Sequence, residues 1–273
     1  MLSRFLSVTA RLPDRSLHAG AAPPPPHALV KRGIRRESLP RHVAVVMDGN
    51  GRWAQARGLP TAEGHEAGGR ALERTVRLSR DWGIRALTVF AFSQENFGRP
   101  QVEVDYVMAL IQRMIRKNLD EYVRTGVRVH VIGDPSRRPA SLQGTVREAE
   151  EMTGNNSRLH LALATCYGGR WDIVQACRQL ARQVEGGALK PDDIDESLLA
   201  GKLATSVVGE LSCPDLVIRT SGEQRMSNFL MWQSAYSELY FTDALWPDFD
   251  EDEYLRALKS FQGRERRFGT RNV

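Results

Sequence analysis

Short apolar runs and amphipathic segments alternate along the chain from about residue 40 onward, and this alternation constrains the fold most strongly. The strand-like runs span residues 42–47, 86–92, 127–132, 159–164, 215–219 and 238–241. Segments with helical spacing span residues 63–82, 102–125, 140–153, 171–184, 193–204 and 250–261. Such alternation predicts an α/β fold with a mostly parallel central sheet flanked by helices. No internal repeat interrupts it, so we expect one domain over residues 37–273.

The first apolar run leads directly into a glycine-rich polar turn, Asp48-Gly49-Asn50-Gly51-Arg52. The two glycines allow a tight turn and a close approach of backbone N–H groups to a phosphate. The residues that follow can open a helix whose first N–H groups point back at the turn. A carboxylate at the end of the strand, beside an arginine, therefore predicts a metal-bridged phosphate site.

A dinucleotide-binding fingerprint is an alternative for this turn, because Gly49, Gly51 and Ala54 fit G-x-G-x-x-G/A after a strand. Asp48 argues against it, since a carboxylate beside a pyrophosphate is repulsive unless a cation lies between them. The fingerprint also needs an acidic residue at the end of a second strand about 20 positions later. That region has helical character here, so a nucleotide-binding oxidoreductase is disfavoured.

Polar, glycine-containing sequences follow four of the six strand-like runs. They read DGNGR, SQENFGRP, YGGR and RTSGEQRMSN, at residues 48–52, 93–100, 167–170 and 219–228. In parallel sheets, ligands bind where the carboxyl ends of the strands meet. Arginine, serine and asparagine side chains gathered at one such edge indicate a polyanionic substrate.

The positive net charge of +5 resides in the first 36 residues, which hold seven Lys/Arg and one Asp. The rest of the chain carries 31 basic and 32 acidic residues, which gives no support for a nucleic-acid surface. Residues 1–36 are rich in arginine, poor in acids and broken by Pro23–Pro26. We expect a disordered organelle transit peptide there, for the plastid or alternatively the mitochondrion, and a plain disordered basic tail is the other possibility.

The apolar runs are too short for a membrane span, which predicts a soluble protein. Its three cysteines form no CxxC pair and are expected to be reduced thiols. Segment 102–125 carries an apolar face at helical spacing, made of Val107, Leu110, Ile111, Met114, Ile115 and Leu119. That face is either an ordinary core-facing stripe or the lining of a hydrophobic substrate channel, and the sequence alone leaves both open.

Six long motifs in order resemble the cis-prenyltransferases, the family of undecaprenyl and dehydrodolichyl diphosphate synthases. They are HVAVVMDGNGRWA (42–54), GHEAG (64–68), FSQENFGRP (92–100), CYGGRWDI (166–173), DLVIRTSGEQRMSNFLMWQ (215–233) and YSELYFTDALWPDF (236–249). The resemblance covers about residues 40–270. It implies condensation of isopentenyl diphosphate with an allylic diphosphate primer to give a Z-configured prenyl diphosphate, with Mg²⁺ as cofactor.

The resemblance also implies roles for individual residues. Asp48 would be catalytic and a magnesium ligand, and Glu238 would assist the metal from near a dimer interface. Residues with an implied role in binding the allylic diphosphate or its surroundings are Gly49, Asn50, Gly51, Arg52, Trp53 and Arg57. Isopentenyl diphosphate would be held by Arg219, Arg225 and Ser227, where arginine offers bidentate bonds to phosphate.

Further implied roles fall on GHEAG and on the segment after the second strand. His65 would be catalytic near the leaving diphosphate, where it could shuttle a proton, and Ser93 and Asn96 would also be catalytic. Ser93, Asn96, Phe97 and Arg99 would lie in a mobile loop, and Glu103 would open the helix beyond it. This segment would bring the substrates together, support proton loss and exclude water. The identity of the proton acceptor stays open, as do product length and preferred primer.

Two positions depart from the bacterial pattern of the family. Thr61 stands where an arginine normally binds phosphate, so contacts to the allylic diphosphate are expected to be rearranged or weaker. Phe97 replaces a tryptophan. The tail keeps an R-x-G element at residues 267–269, which in the family reaches a partner subunit, so a homodimer is expected.

Other functional classes remain as alternatives. A non-catalytic accessory subunit of a heteromeric enzyme would typically lose the aspartate that this chain keeps as Asp48. A trans-type prenyltransferase would carry DDxxD, whose nearest counterpart here is DDID at residues 192–195. An enzyme releasing a long lipid is also expected to make peripheral contact with a membrane, although no amphipathic anchor is evident.

Overall fold

The computed structural model describes residues 27–266, and six parallel strands form a single sheet within them. The strands are β1 (His42–Val46), β2 (Ala86–Ser93), β3 (Val127–Ile132), β4 (Leu159–Tyr167), β5 (Leu216–Arg219) and β6 (Glu238–Phe241). The helices are α1 (His27–Lys31), α2 (Asn50–Gln55), α3 (Thr61–Trp82), α4 (Gln101–Thr125), α5 (Ala140–Met152), α6 (Gly169–Glu185), α7 (Glu196–Ala200) and α8 (Glu251–Gln262). The strand order is β3-β4-β2-β1-β5-β6, and each neighbouring pair runs parallel. The predicted α/β class and mostly parallel sheet are confirmed.

Both faces of the sheet are buried, as the continuous apolar runs indicate. In β1, Val43 and Val45 belong to a large core cluster that includes side chains of α3, α4, α5 and α8. The alternate residues Ala44 and Val46 belong to a second cluster with Phe229 and Tyr167. Because successive strand residues point to opposite faces, β1 stabilises both layers and fixes the position of the turn that follows it.

The order β4-β2-β1-β5 places four strands with polar sequences at their carboxyl ends side by side. This adjacency confirms the predicted gathering of those ends at one edge of the sheet. The neighbours in this row are joined by parallel ladders, which set their carboxyl ends at similar heights. The residues after β1, β2, β4 and β5 can therefore contact one ligand.

One predicted helix is mostly wrong. Residues 193–204 were expected to be helical, but only α7, Glu196–Ala200, is α-helical there. Asp195 accepts a hydrogen bond from the Leu198 N–H at 2.7 Å, so the helix begins after this cap. Gly201 follows it, and the chain continues as 3₁₀ turns over Ala204–Leu211.

The predicted disorder of residues 1–36 does not hold for residues 27–36. Leu29 and Ile34 are 2 % exposed and pack in the main core cluster. The Arg35 N–H donates to Gln262 Oε1 at 2.7 Å, and the Arg32 side chain pairs with Asp252 at the start of α8. The folded body therefore begins before residue 37. The transit-peptide prediction for residues 1–26, and the R-x-G element at 267–269, lie outside the described residues.

His42, fully buried at the start of β1, makes stability depend on pH. Its Nε2 lies 2.8 Å from Thr88 Oγ1. Burial lowers the pKa of His42 to about 4, against the opposing charge of Asp215. The unfolded chain therefore binds more protons below pH ~6.5, and the stability present at neutral pH is lost as the pH falls toward 4.

We expect the free energy of unfolding to fall by about 2 kcal/mol between pH 7 and pH 5 through His42 alone. Denaturant unfolding at both pH values gives the change in the free energy of unfolding for the unmodified chain and for His42→Asn. The difference between those two changes is the contribution of His42. The variant is expected to lose stability at pH 7 yet show the weaker pH dependence. Equal pH dependence in the two proteins would contradict the assignment.

Candidate active site

A cavity of about 840 Å³ opens at the carboxyl edge of the sheet. It is lined by most residues with a predicted role: Asp48, Gly49, Asn50, Gly51, Arg52, His65, Ser93, Asn96, Arg99, Glu103, Arg219, Arg225 and Ser227. These residues come from the ends of β1, β2 and β5 and the first turns of the helices beyond them. The fold thus brings together groups that are as much as 179 positions apart in the sequence, from Asp48 to Ser227.

Asp48 is held at the end of β1 by bonds on both sides of its peptide group. Its N–H donates to Thr220 Oγ1 at 2.9 Å, and the Thr220 hydroxyl donates to the Asp48 carbonyl at 2.6 Å. The Trp246 N–H donates to the same carbonyl at 3.0 Å. With Gly49 at φ +110 completing the turn, the backbone leaves the carboxylate facing the cavity.

The Asp48 carboxylate lies between two arginines. Arg219 Nη2 donates to Oδ2 at 2.9 Å, and Arg52 Nη2 lies 3.5 Å from Oδ1. Burial by itself raises the pKa of Asp48, but the hydrogen bond and charge of Arg219, with Ser221 and Arg52, hold it below its ordinary value. The carboxylate is therefore ionised at neutral pH, with a guanidinium on each side.

Arg52 bridges the turn after β1 to the turn after β5. Its Nη2 donates to Ser221 Oγ at 2.6 Å and its Nη1 to the Ser221 carbonyl at 3.1 Å. Nη1 also lies 3.6 Å from Glu223 Oε1. Arg52 remains about half exposed, so these bonds orient a guanidinium that still faces the cavity.

Arg219 is the more deeply buried of the two arginines, with 5 % of its side chain exposed. Its Nη1 donates to Ser227 Oγ at 2.6 Å and to the Arg225 carbonyl at 2.5 Å. Ser227 has φ +48, a left-handed conformation that non-glycine residues adopt rarely and at some cost. The chain therefore folds back over Arg219, which places Arg225 and Ser227 at the same cavity.

The residues after β2 form a short turn that carries three of the predicted groups. Ser93 and Asn96 exchange bonds: the Ser93 N–H donates to Asn96 Oδ1 at 3.0 Å, and the Asn96 N–H donates to Ser93 Oγ at 3.2 Å. Arg99 donates to Glu103 at 3.0 Å, and His65 Nε2 lies 3.5 Å from the same Glu103 oxygen. Burial lowers the pKa of His65 despite Glu103, so the imidazole is neutral at pH 7.

Three residues with predicted binding roles point away from the cavity. Trp53 Nε1 donates to Asp248 Oδ1 at 2.7 Å, and Arg57 stacks on the Trp53 ring and contacts the same carboxylate. Phe97 packs edge-on against Phe92, with ring centroids 5.0 Å apart. Trp53, Arg57 and Phe97 are thus absent from the cavity wall, although Phe97 packs against Phe92, which lines it.

Glu238 is not near Asp48 within one chain. It begins β6 and pairs with Leu216, whereas Arg219, at the level of the cavity, pairs with Phe241. Three residues of strand separate those levels by about 10 Å. The Glu238 carboxylate accepts a bond from Arg264 at 2.7 Å. In the part of the chain that the structure describes, the two predicted magnesium ligands do not form one site.

The cavity also contains polar residues to which the sequence reasoning gave no role. Glu95, Arg170 and Asn228 line it, and so does Thr61, which the sequence had placed at a phosphate-binding position. The first three lie in the polar sequences that follow β2, β4 and β5. The position of those sequences at strand ends was therefore the available signal, although it could not say which side chains turn inward.

The apolar part of the wall is short. It consists of Val46, Met47, Phe90, Ala91, Phe92, Val107 and Met231. Of the apolar face of α4, only Val107 reaches the cavity, while Ile111, Ile115 and Leu119 are packed in the main core. The α4 stripe is therefore chiefly a core-facing stripe.

The glycines of GHEAG allow α2 and α3 to pack closely. A Cβ at Gly64 would lie 2.1 Å from the Asn50 carbonyl oxygen, and one at Gly68 would lie 2.3 Å from Asn50 Oδ1. Asn50 lines the cavity, so this packing positions a site residue. Close packing therefore accounts for the two glycines of the motif, in addition to the predicted role of its histidine.

We expect Gly64→Ala to lower the free energy of unfolding by about 1–3 kcal/mol, because the backbone of Asn50 must move. Denaturant unfolding measures the loss. Gly144→Ala is the matched control, since Gly144 is also helical and a Cβ there meets no atom within 4 Å. The control should be neutral or slightly stabilising, and a Gly64→Ala protein as stable as the control would contradict this account.

The arrangement suits a polyanion better than any other ligand class. Arginines from four strand ends and ionised Asp48 face one cavity with a small apolar wall. Among residues 27–266, no group of three or more His, Cys, Asp or Glu side chains could hold a metal ion by itself. Mg²⁺ commonly binds through one or two carboxylates together with substrate phosphates and water. Asp48 fits such a magnesium site, completed by a bound diphosphate.

Comparison with known proteins agrees with this interpretation of the site. The family described as "Putative undecaprenyl diphosphate synthase" matches residues 46–269. Cis-prenyltransferase 4, chloroplastic, of Solanum lycopersicum is 50% identical over 236 residues, covering 86% of this chain and 76% of the relative. The ditrans,polycis-undecaprenyl-diphosphate synthase ((2E,6E)-farnesyl-diphosphate specific) of Xanthomonas campestris is 51% identical over 232 residues, covering 85% and 89%.

Solved structures give the same result. Lavandulyl diphosphate synthase from Lavandula x intermedia, in complex with dimethylallyl diphosphate, has a TM-score of 0.83 and 42% identity, covering 85% of this chain and 99% of that one. A probable undecaprenyl diphosphate synthase from Campylobacter jejuni has a TM-score of 0.69, 32% identity and the same coverage. The fold and site define a prenyl diphosphate synthase, a transferase of prenyl groups. The chain belongs to the cis-prenyltransferase family, and its reaction forms a Z-prenyl diphosphate.

Proposed function

We propose that two diphosphates occupy the cavity together, an allylic primer against Arg52 and isopentenyl diphosphate against Arg219, Arg225 and Ser227. The observation that carries this proposal is the position of Asp48, within 3.5 Å of both Arg52 and Arg219. Each arginine can bind a phosphate through parallel N–H bonds. Two anionic groups bound on either side of one carboxylate would bring their carbon chains side by side.

In the reaction, the C1–O bond of the primer breaks and pyrophosphate leaves with the bonding electrons. The double bond of isopentenyl diphosphate forms the new C–C bond at C1, and loss of a proton from the condensed chain gives the Z double bond. Asn50, Gly51 and Arg52 would hold the leaving diphosphate through backbone N–H groups and a guanidinium. Ionised Asp48 disfavours that anion by itself, which is why a cation belongs between them.

We propose Mg²⁺ as that cation, held by Asp48 and the bound diphosphates. When bound, it would neutralise charge that builds up on the departing pyrophosphate. Glu238 would take part only from a second copy of the chain, since within one chain it lies near the opposite end of the strands. A homodimer therefore forms part of the proposal, although a single described chain contains both diphosphate-binding groups.

Neutral His65, with Ser93 and Asn96, would complete the site on the side of α3 and β2. His65 can donate a hydrogen bond to the departing diphosphate without carrying charge of its own, because burial keeps it unprotonated at pH 7. Ser93 and Asn96 already bond to each other, so they present a fixed pair of polar groups to the reacting carbons. Phe92 and Val107 would contact the hydrocarbon of the primer, where a longer channel would begin.

Thr61 lines the cavity at a position where the bacterial pattern has an arginine. A threonine hydroxyl supplies one short hydrogen bond and no charge, so the allylic diphosphate depends more heavily on Arg52 here. We propose that this weakens primer binding relative to the bacterial pattern.

We place the enzyme in the plastid, because two relatives that share at least 50% identity, both from Solanum lycopersicum, are named chloroplastic. Within residues 27–266, no helix is long and apolar enough to cross a membrane. We also propose peripheral contact with a membrane surface for release of a long prenyl product.

The test is incubation of the purified full chain with Mg²⁺, labelled isopentenyl diphosphate and, separately, dimethylallyl, geranyl, farnesyl and geranylgeranyl diphosphates. Sizing the dephosphorylated products gives both primer preference and chain length. We expect elongation that depends on primer and stops when Mg²⁺ is chelated. Elongation unaffected by chelation would overturn the magnesium proposal, and none with any primer would overturn the two-diphosphate proposal.

A further inference from the structure

Asn228 joins three strand ends at the cavity. Its Nδ2 donates to Glu95 Oε1 at 2.8 Å, on the turn after β2. Its Oδ1 accepts from the Arg170 N–H at 2.8 Å, and its carbonyl accepts from the Gly169 N–H at 2.6 Å, both in the first turn of α6 after β4. One residue of the loop after β5 therefore contacts the ends of β2 and β4 at once.

The backbone of Asn228 is firmly fixed. The next residue, Phe229, is fully buried and stacks on Phe90 with ring centroids 4.5 Å apart. Asn228 itself has φ +61, a left-handed conformation that asparagine tolerates better than most residues. A Cβ on Gly168 would lie 2.9 Å from Asn228 Nδ2, so the glycine there leaves room for this amide.

Glu95, which accepts the bond from Asn228, lies on a more exposed segment at the end of β2 and in the turn after it. Residues 93–99, here called segment 93–99, carry Ser93, Asn96 and Arg99 at the cavity. Glu95 is exposed, and besides its bond to Asn228 its carboxylate interacts with the Ser93 side chain and the charge of Arg170. On the other side of the turn, Phe97 packs on Phe92 beneath the Arg137 guanidinium, 3.6 Å from the ring centroid. The Gln94 N–H also donates to the Tyr167 carbonyl at 3.0 Å, so the turn is tied to β4 at its start, by an aromatic contact at Phe97 and by a polar contact at Glu95.

We propose that Asn228 is a positioning residue, which docks segment 93–99 onto the loop that carries Arg225 and Ser227. Through Glu95 it sets the distance between Ser93 and Asn96 on one side and the isopentenyl diphosphate groups on the other. This proposal rests on the proposed function for its kinetic consequence, although the docking itself does not. Small displacements of groups around reacting atoms cost large factors in rate.

Asn228→Asp tests the docking selectively. The aspartate keeps an oxygen that accepts from the Arg170 N–H, but it replaces the donor to Glu95 by a second carboxylate. We expect kcat to fall on the order of 10- to 100-fold, with a smaller change in the KM for isopentenyl diphosphate. Asn155→Asp, which adds the same charge at an exposed position after α5, is the matched control and should behave as the unmodified chain does.

A new carboxylate could also repel the diphosphates directly, and a double-mutant cycle separates the two causes. When Glu95→Gln is combined with Asn228→Asp, the glutamine amide at position 95 can donate to the aspartate at position 228. The hydrogen bond between the two positions then re-forms with donor and acceptor exchanged, and docking is restored. In the Glu95→Gln background, Asn228→Asp should then lower kcat by less than about threefold, whatever effect Glu95→Gln has on kcat by itself. An equal cost in both backgrounds would overturn the proposal, because repulsion of substrate does not depend on Glu95.

Hydrogen exchange of the substrate-free proteins provides a readout that needs no activity. Amides of segment 93–99 should exchange several-fold faster in Asn228→Asp than in the unmodified chain, and return to normal with Glu95→Gln added. Unchanged exchange there in the single variant would overturn the docking, even if the rate fell. If exchange is faster in Asn228→Asp while the unmodified chain forms no product with any primer, the docking stands and the proposed function is overturned.

Discussion

Asp48→Asn is expected to reduce kcat by about 10³-fold or more while the protein stays folded. Asparagine keeps the size of the side chain and an oxygen that can accept from Arg219, so the local structure should persist. What it removes is the negative charge that would hold a cation between the two diphosphates. Initial rates with saturating substrates, together with the unfolding midpoint of each protein, measure both parts of this expectation.

Asp105→Asn is the matched control, because Asp105 is an exposed carboxylate on α4 that accepts a hydrogen bond from the Gln101 side chain at 2.8 Å. It should change kcat by less than about twofold. Asp48→Asn with kcat near that of the control would show that the carboxylate does not participate in the chemistry. If Asp48→Asn unfolds, the Asp48–Arg219 pair is needed mainly for the fold. The substitution Asp48→Ser would then separate the role of Asp48 in the fold from its role in the chemistry.

Arg219→Lys is expected to lower kcat/KM for isopentenyl diphosphate by about 100-fold. The two terminal nitrogens of Arg219 bond to Ser227 and the Arg225 carbonyl on one side and to Asp48 on the other. A lysine ammonium is a point charge, and it cannot reproduce a planar fork with five donors in fixed directions. Most of the loss should appear as a raised KM, since the bonds exist before the reaction begins.

Arg158→Lys is a suitable comparison, because Arg158 is half exposed and lies 3.8 Å from Asp81 on the far side of the molecule from Arg219 along the strands. Its kinetics should match those of the unmodified chain. If Arg219→Lys also retains its kcat/KM, the buried arginine acts as a structural cation, and the isopentenyl diphosphate site must lie elsewhere in the cavity.

Most of the fold could be predicted because short continuous apolar runs alternate with segments of helical spacing in this sequence. All six strands occur where apolar runs indicated them, and their common direction follows from the helices between them. The prediction was wrong at residues 193–204, where Asp195 and Gly201 confine α7 to five residues. It was also wrong at residues 27–36, since Leu29 and Ile34 find their core partners in distant parts of the chain.

The location of the cavity could be predicted from the sequence, but the orientation of individual side chains could not. Asp48 and Arg219 follow parallel strands that neighbour each other, so their meeting is a property of topology. Trp53 is the residue after Arg52, and Arg57 follows the end of α2, yet both contact Asp248, some 190 positions later. Asn228 has a left-handed backbone that no motif reports. Such contacts depend on tertiary packing, which local sequence patterns do not encode.

The geometry of the first double bond formed tests the central claim most directly. The unmodified full chain would be incubated with Mg²⁺, isopentenyl diphosphate and the best of the four primers, beside Asp48→Asn under identical conditions. Nuclear magnetic resonance of the first condensation product identifies the new bond as Z or E. The account predicts a Z bond from the unmodified chain and almost no product from Asp48→Asn. An E bond, or equal product from both proteins, would contradict it.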